Sequence, residues 1–281
     1  MREQCKAYDS KALNEVWTGK RELDGWVSPK YDGHYVQIHI TASDIRFFTS
    51  GGKEFTNSRV ASIINAAWRD TNMGPCILEA EYLGDSEGKH GDRSKAAVIT
   101  TLRKEFKSGV SSKIGNNHKL RIFDYISYKV PFSERLENLS ELRVALEKLG
   151  DQVSVVNFTK LKIDDILSLR DKLVADGYEG LMYKEDCHVH VEGKRVKTAL
   201  KFKTTYKAIL KCIDFYPGNG KYSGMVGSLL CEDHMGVRVY VGSGLTDEDR
   251  MRTNWIGKSI RISYESFKDT YIHPIYKGVI G

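Results

Sequence analysis

The chain has 281 residues, of which 41% are hydrophobic and 28% are charged. This composition is typical of a globular protein with one large core or two smaller ones, and it excludes an intrinsically disordered chain. No apolar run reaches membrane-spanning length, and the first residues lack the apolar segment of a signal peptide. We therefore expect a protein of the cytoplasm, or of the nucleus in a eukaryotic cell.

The net charge of +6 allows a polyanionic partner but does not require one, since many mildly basic enzymes never bind nucleic acid. The five cysteines are scattered along the chain and form no C-x-x-C pair. Their spacing indicates reduced thiols and provides no framework for a zinc site or for disulfides.

Three stretches of the chain have helical periodicity. In each of them apolar residues recur every three or four positions, which predicts a helix with one face turned to the core. Polar candidates for the N-cap precede the first stretch, and Gly150 and Gly177 end the other two. The predicted helices are 58–70, 133–149 and 163–176.

The rest of the sequence mainly predicts strands, because short apolar or alternating runs are bounded by turn residues. In the first part of the chain these runs are 35–40, 76–83, 120–128, 181–184 and 199–203. After about Thr204 no further helix is expected, and closely spaced strands predict a small β-barrel. These later runs are 208–215, 225–231, 236–241 and 259–264. The predicted fold class is α+β, with a mixed domain at 1–204 and a barrel domain at 205–281.

Lys30 is the first candidate for chemistry. It lies in the segment SPKYDG, in which an acid and a glycine follow the lysine. A deprotonated lysine amine can attack an electrophilic phosphorus, and Gly33 would let the backbone approach a ligand closely. The alternative for this segment, taken alone, is a turn with an exposed lysine.

Two carboxylates and a phenylalanine follow in predicted strands. Glu79 and Glu81 are one residue apart and therefore share a face of their strand. Burying both without partners would be unfavourable, so either they meet a cation, a metal ion or ligand hydroxyls, or one of them faces solvent. Phe123, in the segment RIFDY, either belongs to the core or provides a stacking surface for a base.

A second group of charged residues occupies two later strands. Glu179 begins the segment EGLMYK, which Lys184 ends, and Lys201 and Lys203 share a face of the following strand. Neighbouring ammonium groups repel each other, and an anion bound between them would relieve the repulsion. The alternative is an edge strand whose lysines prevent aggregation.

Taken in order, these segments resemble the motifs of a known superfamily. K-x-D-G, E-x-E, F-D-x, E-G-L-x-x-K and L-K-x-K, between residues 30 and 203, resemble the covalent nucleotidyltransferases, and among them the ATP-dependent DNA ligases. The run VGSGLTD at 241–247, with Arg250, the segment IGK and Tyr264, resembles the OB-fold domain of DNA ligases around G-S/T-G-F. This part of the resemblance favours DNA ligases over RNA-capping enzymes.

The resemblance implies a fold, an activity and partners. The fold would be an adenylation (nucleotidyltransferase) domain with antiparallel sheets and flanking helices, followed by an OB-fold β-barrel, as in minimal ligases of phages, viruses and bacteria. The activity would be the sealing of 5′-phosphate/3′-hydroxyl nicks with ATP and Mg²⁺, with Mn²⁺ as an alternative metal. The partner would be nicked double-stranded DNA, bound by a monomer that does not contact a membrane.

The resemblance also implies roles for individual residues. Lys30 would accept AMP covalently in a nucleotide pocket that includes Ser28. Glu81 would contact the ribose and, together with Glu179, organise the metal, and Phe123 would stack on adenine. The lysines that would hold the α-phosphate and stabilise the leaving pyrophosphate are Lys201 and Lys203, assisted by Lys184.

The sequence departs from the ligase pattern at several positions. Tyr35 and Ser50 stand where ligases commonly have arginines, and Ile280 replaces an arginine near the C-terminus. The candidate substitutes are Arg46, Lys53 and Arg59, and Lys277 for the last position. The basic segment at 89–107 either meets DNA or forms a solvated face. Two alternatives stay open: an RNA ligase or other nucleic-acid-joining nucleotidyltransferase, and a catalytically silent module that binds single strands through its OB-fold.

Overall fold

A computed structural model of the protein describes residues 4–7, 24–55, 57–84, 88, 118–127, 129–161, 163–193 and 195–280. The chain divides into two compact units, Met1–Lys203 and Thr204–Gly281. The basic segment predicted to meet DNA, at 89–107, lies outside the described residues. Among the residues that the structure describes, no helix combines the length and the apolar character that a membrane span requires.

The first unit contains strands and helices in mixed order. Its strands are β1 (Gln4–Ala7), β2 (Gly25–Lys30), β3 (His34–Ile40), β4 (Ile45–Thr49), β5 (Glu54–Phe55), β6 (Cys76–Gly84), β7 (Lys119–Ile126), β8 (Val153–Val155), β9 (Thr159–Leu161), β10 (Gly180–Glu185) and β11 (Arg195–Lys203). Its helices are α1 (Ser58–Arg69), α2 (Phe132–Glu147) and α3 (Ile163–Ala175). The three predicted helices are therefore confirmed to within two residues at each end.

These strands form two sheets. Sheet 1 has the order β1-β11-β10-β2-β9, and sheet 2 has the order β5-β4-β3-β6-β7-β8. The β1–β11 and β7–β8 pairs are parallel, and the other pairs in the two sheets are antiparallel. An α+β unit built mainly on antiparallel sheets agrees with the predicted fold class.

Helices cover one face of each sheet. The apolar stripes of α1 and α2 pack on sheet 2, where alternate residues of β3 and β6 such as Val36, Ile38 and Leu78 are fully buried. The side chain of Asn57 caps α1 by accepting a hydrogen bond from the Val60 N–H at 3.1 Å. Sheet 1 has a smaller core against α3, formed by Val27, Ile166, Leu181, Tyr183, Leu200 and Phe202.

The second unit is built mainly of strands. They are β12 (Tyr206–Pro217), β13 (Val226–Glu232), β14 (Arg238–Val241), β15 (Ser259–Tyr264), β16 (Ser266–Lys268), β17 (Thr270–Ile272) and β18 (Ile275–Val279). Sheet 3 has the order β14-β13-β12-β15-β18, and β16 pairs with β17. The two edges of sheet 3 meet just beyond β14, where the Tyr276 N–H of β18 donates to the Ser243 carbonyl at 2.8 Å. A core around Trp255 fills the interior.

The expectation that no helix follows Thr204 is wrong. Helix α4 (Asp247–Met251) begins with a capping box, in which Thr246 and Asp249 bond reciprocally, and a 3₁₀ turn occupies Gly220–Tyr222. Arg250 of α4 is buried and donates to the carbonyls of Val226, Gly227 and Gly242. A five-residue helix is too short to show a hydrophobic period, so periodicity alone could not reveal it.

Candidate functional site

Lys30 ends β2 on the face of sheet 1 that α3 does not cover. In the strand register Lys30 lies opposite Gly180 of β10, and Gly180 lies opposite Lys203 of β11. Directly paired residues share a face of the sheet, so the two lysines lie on the same face with a glycine between them. The turn with an exposed lysine, which was the alternative for this segment, is therefore excluded.

Glu179 joins the two lysines. One carboxylate oxygen pairs with the Lys30 amine and the other with the Lys203 amine. The exposed fractions of the side chains are 20% for Lys30, 11% for Glu179 and 19% for Lys203, so the cluster is largely withdrawn from solvent. Burial by itself would raise the pKa of the Glu179 carboxyl, but the two ammonium groups outweigh it and lower that pKa. The carboxylate stays ionised at neutral pH.

Gly180 makes this cluster possible. Its φ of +145° is a conformation that residues with a side chain rarely adopt. A Cβ at this position would lie 2.0 Å from the Phe202 carbonyl oxygen of β11. Without a side chain at 180, β2, β10 and β11 come together closely enough for both lysines to reach Glu179.

The next row of sheet 1 contains two more residues predicted for the nucleotide pocket. Ser28 lies opposite Met182, which lies opposite Lys201. All three share the face of Lys30 and Lys203 because they are two positions away along each strand. Ser28 is buried, and Lys201 is half-buried beside Lys203. The structure thus brings together Ser28, Lys30, Lys201, Lys203 and Glu179.

Sheet 2 presents a polar face on the side away from α1 and α2. Tyr35, Glu81 and Arg121 form one row across β3, β6 and β7, and Glu79 pairs with Asp124 in the next row. Glu79 is buried and accepts a hydrogen bond from the Tyr35 hydroxyl. Both predicted carboxylates therefore have partners, and solvent exposure of Glu79 is excluded.

Glu81 is positioned by the glycine that follows Lys30. The Gly33 N–H donates to a Glu81 carboxylate oxygen at 3.1 Å. A Cβ on Gly33 would lie 2.6 Å from the Tyr82 carbonyl oxygen and 2.8 Å from Glu81 Cγ. The close approach that this glycine allows is therefore to strand β6, and through it the Lys30 segment fixes the carboxylate predicted to contact the ribose.

Phe123 occupies an irregular position in β7. Ala80 pairs with Ile122 and Glu79 pairs with Asp124, so Phe123 is the extra residue of a β-bulge. Its ring is half-buried and lies 6.2 Å from the Tyr35 ring, centroid to centroid. Phe123 lies on the polar side of sheet 2, which agrees better with a stacking surface for a base than with a place in the apolar core.

Lys184 is not part of the Lys30 cluster. It lies four residues beyond Gly180 on β10, about 13 Å away along an extended strand. Its amine pairs with Asp124 of sheet 2, and Arg135 of α2 donates to the same carboxylate at 2.9 Å. Asp124 and Arg135 were not among the predicted site residues. One follows Phe123 in a strand and the other lies in a helix, and nothing in the sequence indicates that the two side chains meet.

The candidate substitutes for the missing arginines lie on the surface of the first unit. Arg46 of β4 pairs with Glu54 and is exposed, and Lys53 is exposed in the turn before β5. Arg59 is exposed on α1 and donates to Gln152 at 2.9 Å. Their assignment to the DNA phosphates stays a prediction.

Oxygen donors suited to a hard cation are present on both polar faces. Glu81 and Glu179 carry carboxylates, which are the ligands that Mg²⁺ prefers, so the residues fit the metal that the resemblance implies. Glu79, Asp124 and His190 also offer ligand atoms within 4.8 Å of one another. Lys184 and Arg135 already balance the charges of that second group, so it needs no metal to be stable.

Comparisons with known proteins point to one family. A family model described as "ATP dependent DNA ligase domain" matches residues 4–203, and one described as "DNA ligase OB-like domain" matches residues 217–279. The DNA ligase of Methanococcus aeolicus is 28% identical over 233 residues, which cover 78% of this chain and 40% of that protein. The DNA ligase of Methanocaldococcus jannaschii is 26% identical over 247 residues, covering 78% of this chain and 42% of that protein. The chain thus spans less than half the length of these relatives.

Solved structures share the fold of both units. One described as "DNA binding with a minimal scaffold: Structure-function analysis of Lig E DNA ligases" has a TM-score of 0.74 at 18% identity, covering 99% of this chain and 98% of that chain. The ATP-dependent DNA ligase from bacteriophage T7 in complex with ATP has a TM-score of 0.53 at 13% identity, with coverages of 99% and 98%. The predicted adenylation fold followed by an OB-fold is confirmed.

Proposed function

Because the chain belongs to the family of ATP-dependent DNA ligase domains, we propose that it seals nicks in duplex DNA through a covalent lysyl-AMP intermediate on Lys30. The observation that carries this proposal is the position of the Lys30 amine. It lies on one sheet face with Lys203, and Glu179 stands between the two amines. A nucleophile beside a carboxylate and a second cation is the arrangement that phosphoryl transfer requires.

In the first step Lys30 Nζ attacks the α-phosphorus of ATP, a nitrogen–phosphorus bond forms, and the bond to pyrophosphate breaks. Attack requires the neutral amine, so Nζ first loses its proton to solvent water as Lys30 separates from Glu179. Lys203 and Lys201 lie on the same face and neutralise the charge that develops on the phosphate oxygens. Phe123 stacks on adenine, Glu81 holds the ribose, and Ser28 lines the pocket.

In the second step AMP passes from Lys30 to the 5′-phosphate at a nick, which forms a pyrophosphate linkage and restores the lysine. In the third step the 3′-hydroxyl attacks the activated phosphate, a phosphodiester forms and AMP leaves. Glu81 and Glu179 would hold Mg²⁺, or Mn²⁺ in its place. The metal would neutralise phosphate charge when bound.

The substrate and setting follow from the same proposal. The partner is nicked double-stranded DNA, which the protein binds through phosphates and without sequence preference. The relatives from Methanococcus aeolicus and Methanocaldococcus jannaschii are named DNA ligases, and the OB-like domain at 217–279 supports the same choice. We propose that the protein acts as a monomer in the cytoplasm.

Labelling tests the nucleophile directly. We expect the protein incubated with α-labelled ATP and Mg²⁺ to acquire covalent label, and Lys30→Ala to acquire none, because no other amine is assigned to attack. Lys172→Ala, which removes an exposed lysine on α3 of the same unit, is the matched control and should label like the wild type. Equal labelling of Lys30→Ala and wild type would show that the nucleophile is misassigned.

An RNA ligase is the second candidate, which the altered positions Tyr35 and Ser50 keep open, since ligases commonly place arginines there. Sealing of a nicked DNA duplex and of a matched RNA-containing duplex, measured side by side, separates the two. Faster sealing of DNA supports the proposal, and faster sealing of RNA supports the alternative. A module that only binds single strands would seal neither.

A further inference from the structure

A buried ion cluster lies directly behind Phe123. We propose that Lys184, through Asp124 and Arg135, is a positioning residue that holds Phe123 against the base of the bound nucleotide, and that it is not a ligand of the nucleotide phosphate. This inference rests on the proposed function, since it concerns the nucleotide pocket of the same reaction. It assigns tasks to Asp124 and Arg135, which the resemblance left without any.

The Asp124 carboxylate is held from several sides. Arg135 donates to it through Nε at 2.9 Å and through Nη2 at 3.2 Å, the Tyr125 N–H donates at 2.8 Å, and the Lys184 amine completes the set. The exposed fractions of the side chains are 1% for Asp124, 0% for Arg135 and 8% for Lys184. A carboxylate with this many donors has one position available to it.

The position of Asp124 determines the position of Phe123. The two residues are neighbours in the chain, and Phe123 has no partner on β6 because it is the extra residue of the bulge. Its backbone is therefore fixed mainly through its neighbours Ile122 and Asp124. The Lys184 amine also lies 5.6 Å from the centroid of the Phe123 ring, within the range of a cation–π contact.

The cluster connects the two sheets of the first unit. Lys184 belongs to β10 of sheet 1, and Asp124 belongs to β7 of sheet 2. Arg135 also connects α2 and the segment after β10 to the cluster. Its Nη1 donates to the Val130 carbonyl at 2.7 Å and to the His188 carbonyl at 3.0 Å. Lys30 is on sheet 1 and Phe123 on sheet 2, so the cluster sets the distance between nucleophile and stacking surface.

The geometry argues against a phosphate contact by Lys184. Gly180, which marks the Lys30 cluster, is about 13 Å away along β10. If the amine turned to a phosphate, Asp124 would keep Arg135 as a charged partner, while Glu79, directly opposite Asp124 on β6, stays buried beside it. Leaving a buried carboxylate short of charge compensation is unfavourable.

The test is single-turnover self-adenylation measured as a function of ATP concentration. We expect Lys184→Met, which keeps the length of the side chain but removes its charge, to raise the half-saturating ATP concentration by about tenfold, the size of a lost base-stacking contact. The rate at saturating ATP should fall by less than about threefold. Lys184→Arg retains the charge and should restore most of the affinity. Lys160→Met is the matched control, since Lys160 is ion-paired with Asp186 and lies over Trp26 at 5.9 Å.

A double-mutant cycle with Phe123→Ala shows whether Lys184 acts through the ring. If it does, Lys184→Met should change the half-saturating concentration by less than about twofold when Phe123 is already absent. Two results would overturn the inference and indicate a phosphate ligand. One is that the effects of the two substitutions on the half-saturating ATP concentration multiply in the double variant. The other is that Lys184→Met lowers the rate at saturating ATP and leaves the half-saturating concentration unchanged. If Lys184→Met does not fold by circular dichroism, the same cycle is run with Asp124→Asn. A wild type that takes no label would instead reject the proposed function.

Discussion

Glu179 holds two lysines with a single carboxylate, and this arrangement separates their tasks. In the proposed mechanism Lys30 gives up its ion pair with Glu179 to become the nucleophile, whereas Lys203 keeps its charge throughout. When Lys30 leaves, Glu179 still has Lys203 as a partner, so the carboxylate is never buried without a cation. The same two ammonium groups lower the pKa of the Glu179 carboxyl, because together they outweigh the effect of burial.

Lys203 is the residue at which this separation can be tested. We expect Lys203→Ala to slow AMP transfer by about 10²–10³, the usual effect of removing one group that stabilises transition-state charge. The fold should stay intact by circular dichroism, since Glu179 keeps Lys30 as a charged partner when Lys203 is replaced. Lys197→Ala, on an exposed residue of the same strand β11, is the matched control.

Nick sealing and self-adenylation of Lys203→Ala are measured together. Slow self-adenylation with a normal melting curve supports the role in charge stabilisation. Unchanged nick sealing would remove that role.

The individual site residues differ in how far the sequence could predict them. Lys30, Glu179 and Lys203 lie in segments whose order resembles a known family, and they meet in space. Asp124 is the second residue of the F-D segment, but its task depends on Lys184 and Arg135, which come from another sheet and a helix. Partners that meet only after three elements pack together leave no local pattern in the chain.

At the scale of elements, strand β10 depends on a glycine. We expect Gly180→Ala to destabilise the protein by about 3 kcal/mol or more, because it combines a disfavoured φ with a contact at 2.0 Å to the Phe202 carbonyl. Covalent labelling from ATP should fall as well, since Lys30 and Lys203 flank this position. Urea unfolding followed by circular dichroism measures the first effect.

Gly74→Ala is the matched control for this substitution. Gly74 is exposed, has no positive φ, and a Cβ there would meet nothing within 4 Å. Its effect should stay within about 0.5 kcal/mol. Equal unfolding curves for Gly180→Ala and wild type would contradict this prediction. They would show that β10 and β11 can move apart to admit a side chain without loss of stability.

Elements with a clear hydrophobic period were predictable, and short ones were not. Strands β3 and β6 alternate buried and polar residues over most of their length, so both were predicted from the sequence. Strands β8, β9, β16 and β17 have three residues each, which is too short for a period to appear. Strand β2 was missed for a different reason, because its end carries the proline and lysine of the chemical motif.

At the scale of the whole molecule, the net charge of +6 and the proposed DNA substrate predict that binding depends strongly on salt. A protein that contacts about six phosphates loses about 10³-fold in affinity between about 50 and about 200 mM salt. We expect binding to a nicked duplex to weaken by at least about tenfold over that range, because each contact releases counterions. Fluorescence anisotropy of a labelled duplex measures this loss.

Two comparisons make the salt prediction specific. Duplexes of unrelated sequence should give the same slope, since phosphates carry no sequence information. Self-adenylation at saturating ATP, which needs no DNA, should change much less than DNA binding. Affinity that does not change with salt would contradict phosphate-dominated binding.

The bulge at Phe123 changes which alternate residues of β7 face the core. Before it, even-numbered residues of β7 such as Leu120 and Ile122 point into hydrocarbon, and after it the even-numbered Asp124 points the other way. Replacing Phe123 alters one ring, and deleting it would remove the extra residue and leave a regular ladder, in which Ile122, Asp124 and Tyr125 keep their present partners and faces. Deletion of Phe123 should therefore remove the stacking ring and leave the faces of β7 unchanged, because the extra residue has no cross-strand pair of its own.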